Sequence, residues 1–126
     1  MTENEISRII YESAIEVHRV LGGPGLLESV YEEALCHELT LRGINVERQK
    51  TVPILYKGKA LSMPLKIDIL VGGKVIIECK ATENHNSIYE VQALTYLRLS
   101  GLKLALVINF GSQLVKDGIK RVVNNL

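Results

Sequence analysis

Hydrophobic positions recur along this chain with two different periods, and the switch between them separates a helical front from a sheet behind it. Over residues 4–21, Ile6, Ile9, Ile10, Ser13, Val17, Val20 and Leu21 return at three- and four-residue steps, which predicts an amphipathic helix. Gly22-Gly23-Pro24-Gly25 breaks that pattern. A second stripe over residues 27–41, made of Leu27, Val30, Tyr31, Ala34, Leu35 and Leu39, predicts another helix with these side chains buried. Gly43 stands just past its end, where a left-handed cap favours glycine.

The period then drops to two. Residues 46–56 read as a strand that Pro53 marks as an edge or an interruption. Lys57-Gly58-Lys59 reads as a turn, and residues 61–71 as the next strand. Gly72-Gly73 signals a two-residue hairpin into a third strand, 74–80. Helical spacing returns over 87–99 through Ile88, Val91, Leu94, Thr95 and Leu97, and Gly101 ends it. The nearly continuous apolar run within 103–110 suits a central buried strand. The tail, 114–123, is interrupted by Gly118 and leans toward strand. The order is therefore ααβββαβ with a short final strand: one domain over residues 1–126, an α/β (α+β) fold with a central mixed sheet flanked by helices. The β-α-β step makes the fourth strand parallel to a neighbour through a right-handed crossover.

Composition narrows the setting. Apolar residues make up 47 % of the 126, mostly Ile, Leu and Val, enough for one aliphatic core. No apolar run reaches the roughly 20 residues that cross a bilayer, and the acidic, amphipathic start is unlike a secretory signal. Cys36 and Cys79 lack CxxC spacing, so a reducing, cytoplasmic setting is expected, with no disulfide framework or zinc site. The net charge of +1 neither favours nor excludes a nucleic-acid partner, although Arg42, Arg48, Lys50, Lys57, Lys59, Lys66, Lys116, Lys120 and Arg121 group by segment.

Chemistry enters on the second and third strands. Alternation puts Ile76, Glu78 and Lys80 on one face and Val75, Ile77 and Cys79 on the other. Asp68 lies between aliphatic residues, where a carboxylate is costly unless a cation or a donor meets it. The Gly72-Gly73 turn sets Asp68 nearly opposite Glu78. Two adjacent carboxylates repel, and a hard divalent cation, Mg²⁺ or Mn²⁺, resolves that repulsion through oxygen ligands. The Lys80 ammonium reaches the same place, suited to assist an attacking water or stabilise a phosphorane-like transition state. An isolated Glu-x-Lys on a strand is ordinarily a solvated face. Asp68 at the facing position sets this one apart.

The chain also carries Gly25-Leu26-Leu27-Glu28-Ser29-Val30-Tyr31, Asp68, Glu78-Cys79-Lys80, Gln92 and Tyr96 in VQALTYLRLSG, INFG at 108–111 and KDGIKR at 116–121. Through these it resembles the GxxExxY proteins, a branch of the PD-(D/E)XK nuclease superfamily, over nearly its whole length. The resemblance implies a restriction-endonuclease-like core and a site formed by Asp68, Glu78 and Lys80. It adds Glu28, from an N-terminal helix, as a third acidic metal ligand beside Asp68 and Glu78, and Gln92 as a polar residue on the following helix. Where the superfamily often has a proline before the first acid, Ile67 stands here.

The expected function is Mg²⁺-dependent phosphodiester hydrolysis of DNA or RNA. The competing expectation is a catalytically silent module on the same scaffold that binds nucleic acid or protein. A small domain without a separate recognition module points to structure-selective cleavage or to a homodimer. Around the core site, Glu32 is expected to face solvent and Tyr96 either to line the site's edge or to pack. His18 is expected to pack or cap rather than act as a base, His37 to face water, His85 to sit in a loop and Cys79 to be buried packing.

Overall fold

The computed structural model describes all 126 residues. Helix α1 (Glu3–Val20) starts at a capping box, in which the Thr2 hydroxyl accepts from the Glu5 N–H and the Glu5 carboxylate accepts from the Thr2 N–H. Helix α2 (Glu28–Leu41) follows the glycine-rich break. Five strands form one sheet: β1 (Val46–Val52), β4 (Leu65–Val71), β5 (Val75–Lys80), β6 (Leu104–Asn109) and β7 (Ile119–Val123), in the order β1-β4-β5-β6-β7. A separate two-stranded hairpin, β2 (Leu55–Tyr56) and β3 (Lys59–Ala60), is inserted between β1 and β4. Helix α3 (Ile88–Ser100) links β5 to β6, which pair in parallel, and every other neighbouring pair is antiparallel.

Two apolar clusters lie on opposite faces of the sheet, so the molecule has three layers. On one face α1 and α2 pack Ile6, Ile10, Tyr31 and Leu35 against Ile69, Ile77, Leu106 and Ile108. On the other, α3 packs Ala93 and Leu97 against Leu65, Ile67, Ile76 and Val107. This double cover explains why β6 is buried at all six positions.

Several sequence expectations are corrected here. Pro53 ends β1 at Val52, and the chain folds into the β2–β3 hairpin, whose Lys57-Gly58 turn has positive φ at both residues (49° and 84°) as a type I′ turn requires. The β4–β5 loop contains three residues, since Val71 pairs with Val75. Leu27 and Val30 are exposed, because α2 begins after Leu27 and turns Tyr31, Glu32, Leu35 and Leu39 inward. On α3 the inward stripe is Tyr89, Ala93, Tyr96 and Leu97, leaving Ile88 and Val91 exposed. A small alanine and two tyrosines lie over the sheet, a weaker periodic signal than the aliphatic residues beside them. The tail divides into a 3-10 helix (Val115–Gly118) and the edge strand β7.

Candidate functional site

The antiparallel ladder between β4 and β5 stops at the pair Ile69–Ile77. One residue further on stand Asp68 and Glu78, and their side chains replace the missing backbone bonds. The Glu78 carboxylate accepts the Asp68 backbone N–H at 2.9 Å, and the Asp68 carboxylate accepts the Cys79 backbone N–H at 2.9 Å. Each acid is thus anchored to the opposite strand, and the two are fixed side by side at the fork.

The same point is irregular on the other side of β4. Arg48 pairs with Ile69 and Lys50 with Ile67, but Gln49 and Asp68 are left unpaired between them, and Gln49 has φ 55°. In a regular strand Ile67 and Ile69 would share a face. Here Ile67 packs under α3 while Ile69 packs under α1 and α2. The alternation therefore slips by one at Asp68, where the strand leaves its ladder on both sides.

Burial makes this arrangement electrostatically tense. Desolvation first, and the Asp68 charge second, push the Glu78 carboxyl up to about 8 from an ordinary value of 4.5. Desolvation also raises the Asp68 carboxyl, against the stabilising Cys79 N–H. Without a cation, neutral pH leaves a proton on Glu78. Lys80, at the end of β5, lowers the pKa of Glu28, Asp68 and Glu78 through its charge. Its ammonium rests 4.8 Å from the centre of the Tyr89 ring on α3, a cation–π contact.

Glu28 is the first residue of α2, where a negative charge suits the helix dipole. Desolvation raises its carboxyl, and the Asp68 and Glu32 charges add to that rise. The Asp68 charge thus acts on both Glu28 and Glu78, yet no group of three or more His, Cys, Asp or Glu side chains is arranged as a ready metal cage. The Asp68–Glu78 pair still fits a hard cation: Mg²⁺ is commonly held by one or two carboxylates, with water and phosphate oxygens completing its shell. Gln92 is exposed on α3 and donates from its side-chain amide to the Tyr96 hydroxyl at 3.2 Å. Tyr96 is the residue that senses the acids, for Glu78 and Asp68 both raise its hydroxyl after burial does.

Glu32 departs from expectation. It is 6 % exposed, not solvent-facing, and it organises the second layer of the site. Arg48 donates to its carboxylate through Nε and Nη2 at 3.2 and 3.0 Å, and the Gln49 amide donates at 2.7 Å. Gln49 also lies near enough to Asp68 to favour its charged form. Glu32, Arg48 and Gln49 were missed as a group by sequence reasoning. The available signal was Glu28 and Glu32 one turn apart on the same helix, but nothing in the sequence marks the left-handed Gln49.

The other flagged residues are structural. Tyr31 donates its hydroxyl to the Gly23 carbonyl at 2.7 Å and accepts the Leu26 N–H at 3.1 Å, so it ties down the loop that delivers Glu28. Its ring stacks on Phe110 at 4.7 Å, and buried His18 packs against both rings with Nε2 3.0 Å from the Phe110 carbonyl oxygen. His37 is exposed, His85 pairs with Glu90 beside α3, and Cys79 is fully buried. Gly111 has a steric reason: a Cβ there would lie 2.2 Å from the Thr82 carbonyl oxygen, within the clasp by which Asn109 holds the chain after Lys80.

A five-stranded mixed sheet between helices, with an acid–acid–lysine set where two central strands part, defines an α+β domain of restriction-endonuclease-like architecture. The family model of the PD-(D/E)XK nuclease superfamily matches residues 4–122, and the chain belongs to that superfamily. No curated protein and no solved structure matches the chain.

Proposed function

We propose that this domain hydrolyses phosphodiester bonds in nucleic acid with the help of Mg²⁺ or Mn²⁺, and that it is a GxxExxY-type member of its superfamily. The observation that carries the reading is the Asp68–Glu78 pair, a half-buried and a buried carboxylate anchored crosswise on adjacent strands with Lys80 beside them. Asp68 and Glu78 would hold the cation, with Glu28 at the open side. When bound, the cation supplies Lewis-acid polarisation of the phosphate and a more acidic water. Lys80 supplies a positive charge where negative charge develops on the phosphoryl oxygens, and in moving there it leaves the Tyr89 ring. Glu28, whose carboxyl senses the Asp68 charge, would join Asp68 and Glu78 as the third acidic ligand, and Lys80 would also assist the attacking water. Gln92 and Tyr96 form the polar wall on the α3 side.

Purified protein is expected to cleave single-stranded or duplex nucleic acid only with Mg²⁺ or Mn²⁺. Lys80→Ala should lower the rate by about 100-fold or more, and Asp68→Asn should abolish it. Activity unchanged in both variants would exclude this site. The absence of a ready three-acid cage favours a second reading, a silent binding module on the same scaffold. Nucleic-acid binding without cleavage under any divalent cation would select it.

A further inference from the structure

We infer that the β2–β3 hairpin is a substrate arm that grips a single nucleic-acid strand, with lysines on its phosphates and Tyr56 stacked on an unpaired base. The inference takes its ligand class from the nuclease reading above and adds the surface that would hold it. Its first support is charge. From Arg48 through Ile67 the chain has Arg48, Lys50, Lys57, Lys59 and Lys66 and no acidic residue, while the rest carries ten basic and fourteen acidic residues. A molecule of net charge +1 has thus gathered its positive excess into one segment. Arg48 is bound to Glu32 and Lys50 to Glu47. Lys57, Lys59 and Lys66 have no acidic partner within ion-pair distance and are exposed.

The second support is the apolar surface interleaved with those lysines. Leu55, Tyr56 and Met63 are 64, 61 and 76 % exposed. Lysines on a sheet edge often serve only to prevent edge pairing. A protective edge has no use for an exposed tyrosine, leucine and methionine, whereas a flat ring beside ammonium groups suits a base and its phosphates. Lys57 already lies 5.5 Å over the Tyr56 ring, showing that charge and ring share one face of the tip. A fully paired duplex keeps its bases stacked on one another and offers the ring nothing to cover, which is why the ligand is a single strand.

The third support is position. The hairpin grows from the ends of β1 and β4, and Asp68 is three residues from Leu65, the last β4 residue paired with β1. That is about 10 Å of strand. Val52 and Ile54 at its base pack into the cluster under α3, so the arm is braced on the layer that carries Tyr89 and Tyr96. A strand lying along the arm therefore leads toward the acid pair.

The test is anisotropy of the full chain with a fluorescent oligonucleotide, single-stranded or in duplex, in EDTA so that nothing is cut. Lys57→Glu with Lys59→Glu should weaken single-strand binding at least about tenfold and flatten its salt dependence. Tyr56→Ala should cost about five- to 100-fold on the single strand and little on the duplex, with Tyr56→Phe binding as the wild type does. Wild-type binding by the Lys57→Glu, Lys59→Glu double variant or by Tyr56→Ala, or no binding by the wild type, would overturn the inference. So would variants that bind nucleic acid normally but lose self-association, which would make the hairpin a contact between copies of the chain. Mn²⁺-dependent hydrolysis of the small diester bis(p-nitrophenyl) phosphate separates the two readings. Hairpin variants should retain it, and its absence in the wild type would count against the nuclease and leave the binding result standing.

Discussion

Glu78 is the residue on which most of the physics converges. Its folded-state pKa of about 8 lies above the ordinary 4.5, so between those values the native state keeps a proton that the unfolded chain has lost. The resulting stability is fully present below pH 4.5 and disappears as pH rises through 8. Asp68, also raised, acts in the same direction. Metal-free protein should therefore be less stable at pH 8.5 than at pH 5, by on the order of a few kcal/mol, and melt at a correspondingly lower temperature. Glu78→Gln should remove most of that slope and raise the melting temperature at the alkaline end. A steeper slope in the variant would mean that the strain lies elsewhere. Glu32 is held by pairing, its carboxylate accepting from Arg48 and from the Gln49 amide. Glu32→Ala should cost about 1–3 kcal/mol in denaturant melts and weaken Mn²⁺ binding, because Gln49 then loses its hold beside Asp68. Unaltered metal affinity would reduce Glu32 to a purely structural acid.

At the scale of elements, the site depends on how α2 is delivered to the fork between β4 and β5. Tyr31 reaches back across the glycine break and fixes it by two hydrogen bonds, while its ring rests on Phe110. The tyrosine of the GxxExxY segment therefore works through position: it holds the loop that places Glu28. Tyr31→Phe should lower stability by about 1–2 kcal/mol and reduce the cleavage rate with the core otherwise intact. An unchanged rate with lowered stability would dissociate the loop from the site.

Much of this element scale was legible in sequence. The Gly72-Gly73 signal brings Asp68 only nearly opposite Glu78, since a two-residue turn would set Asp68 against Ile77; the third loop residue, Lys74, shifts the register by one and puts Asp68 beside Glu78. What alternation could not reveal was the slip at Asp68 itself, because a period-two reading assumes the ladder continues. The stripe on α3 was misread by a residue, since Ala93, Tyr89 and Tyr96 give less hydrophobic contrast than Ile88 and Val91. Glu32 was misplaced because a glutamate alone does not announce that it is buried beneath an arginine partner sixteen residues later.

For the whole molecule, three layers leave the sheet's interior committed to packing, and the candidate site lies at the margin where β4 and β5 separate. The helices contribute from both sides of that margin, Glu28 from α2 and Tyr89, Gln92 and Tyr96 from α3. No helix is long and apolar enough to cross a membrane. The proposed divalent-cation site at the anchored pair Asp68–Glu78 is open to calorimetric titration of Mn²⁺ into metal-free protein. One ion should bind, protons should be released at pH 7.5 as Glu78 gives up the one it holds, and both signals should be lost in Asp68→Asn with Glu78→Gln. Absence of binding by a folded wild type, or equal binding by the double variant, would contradict it.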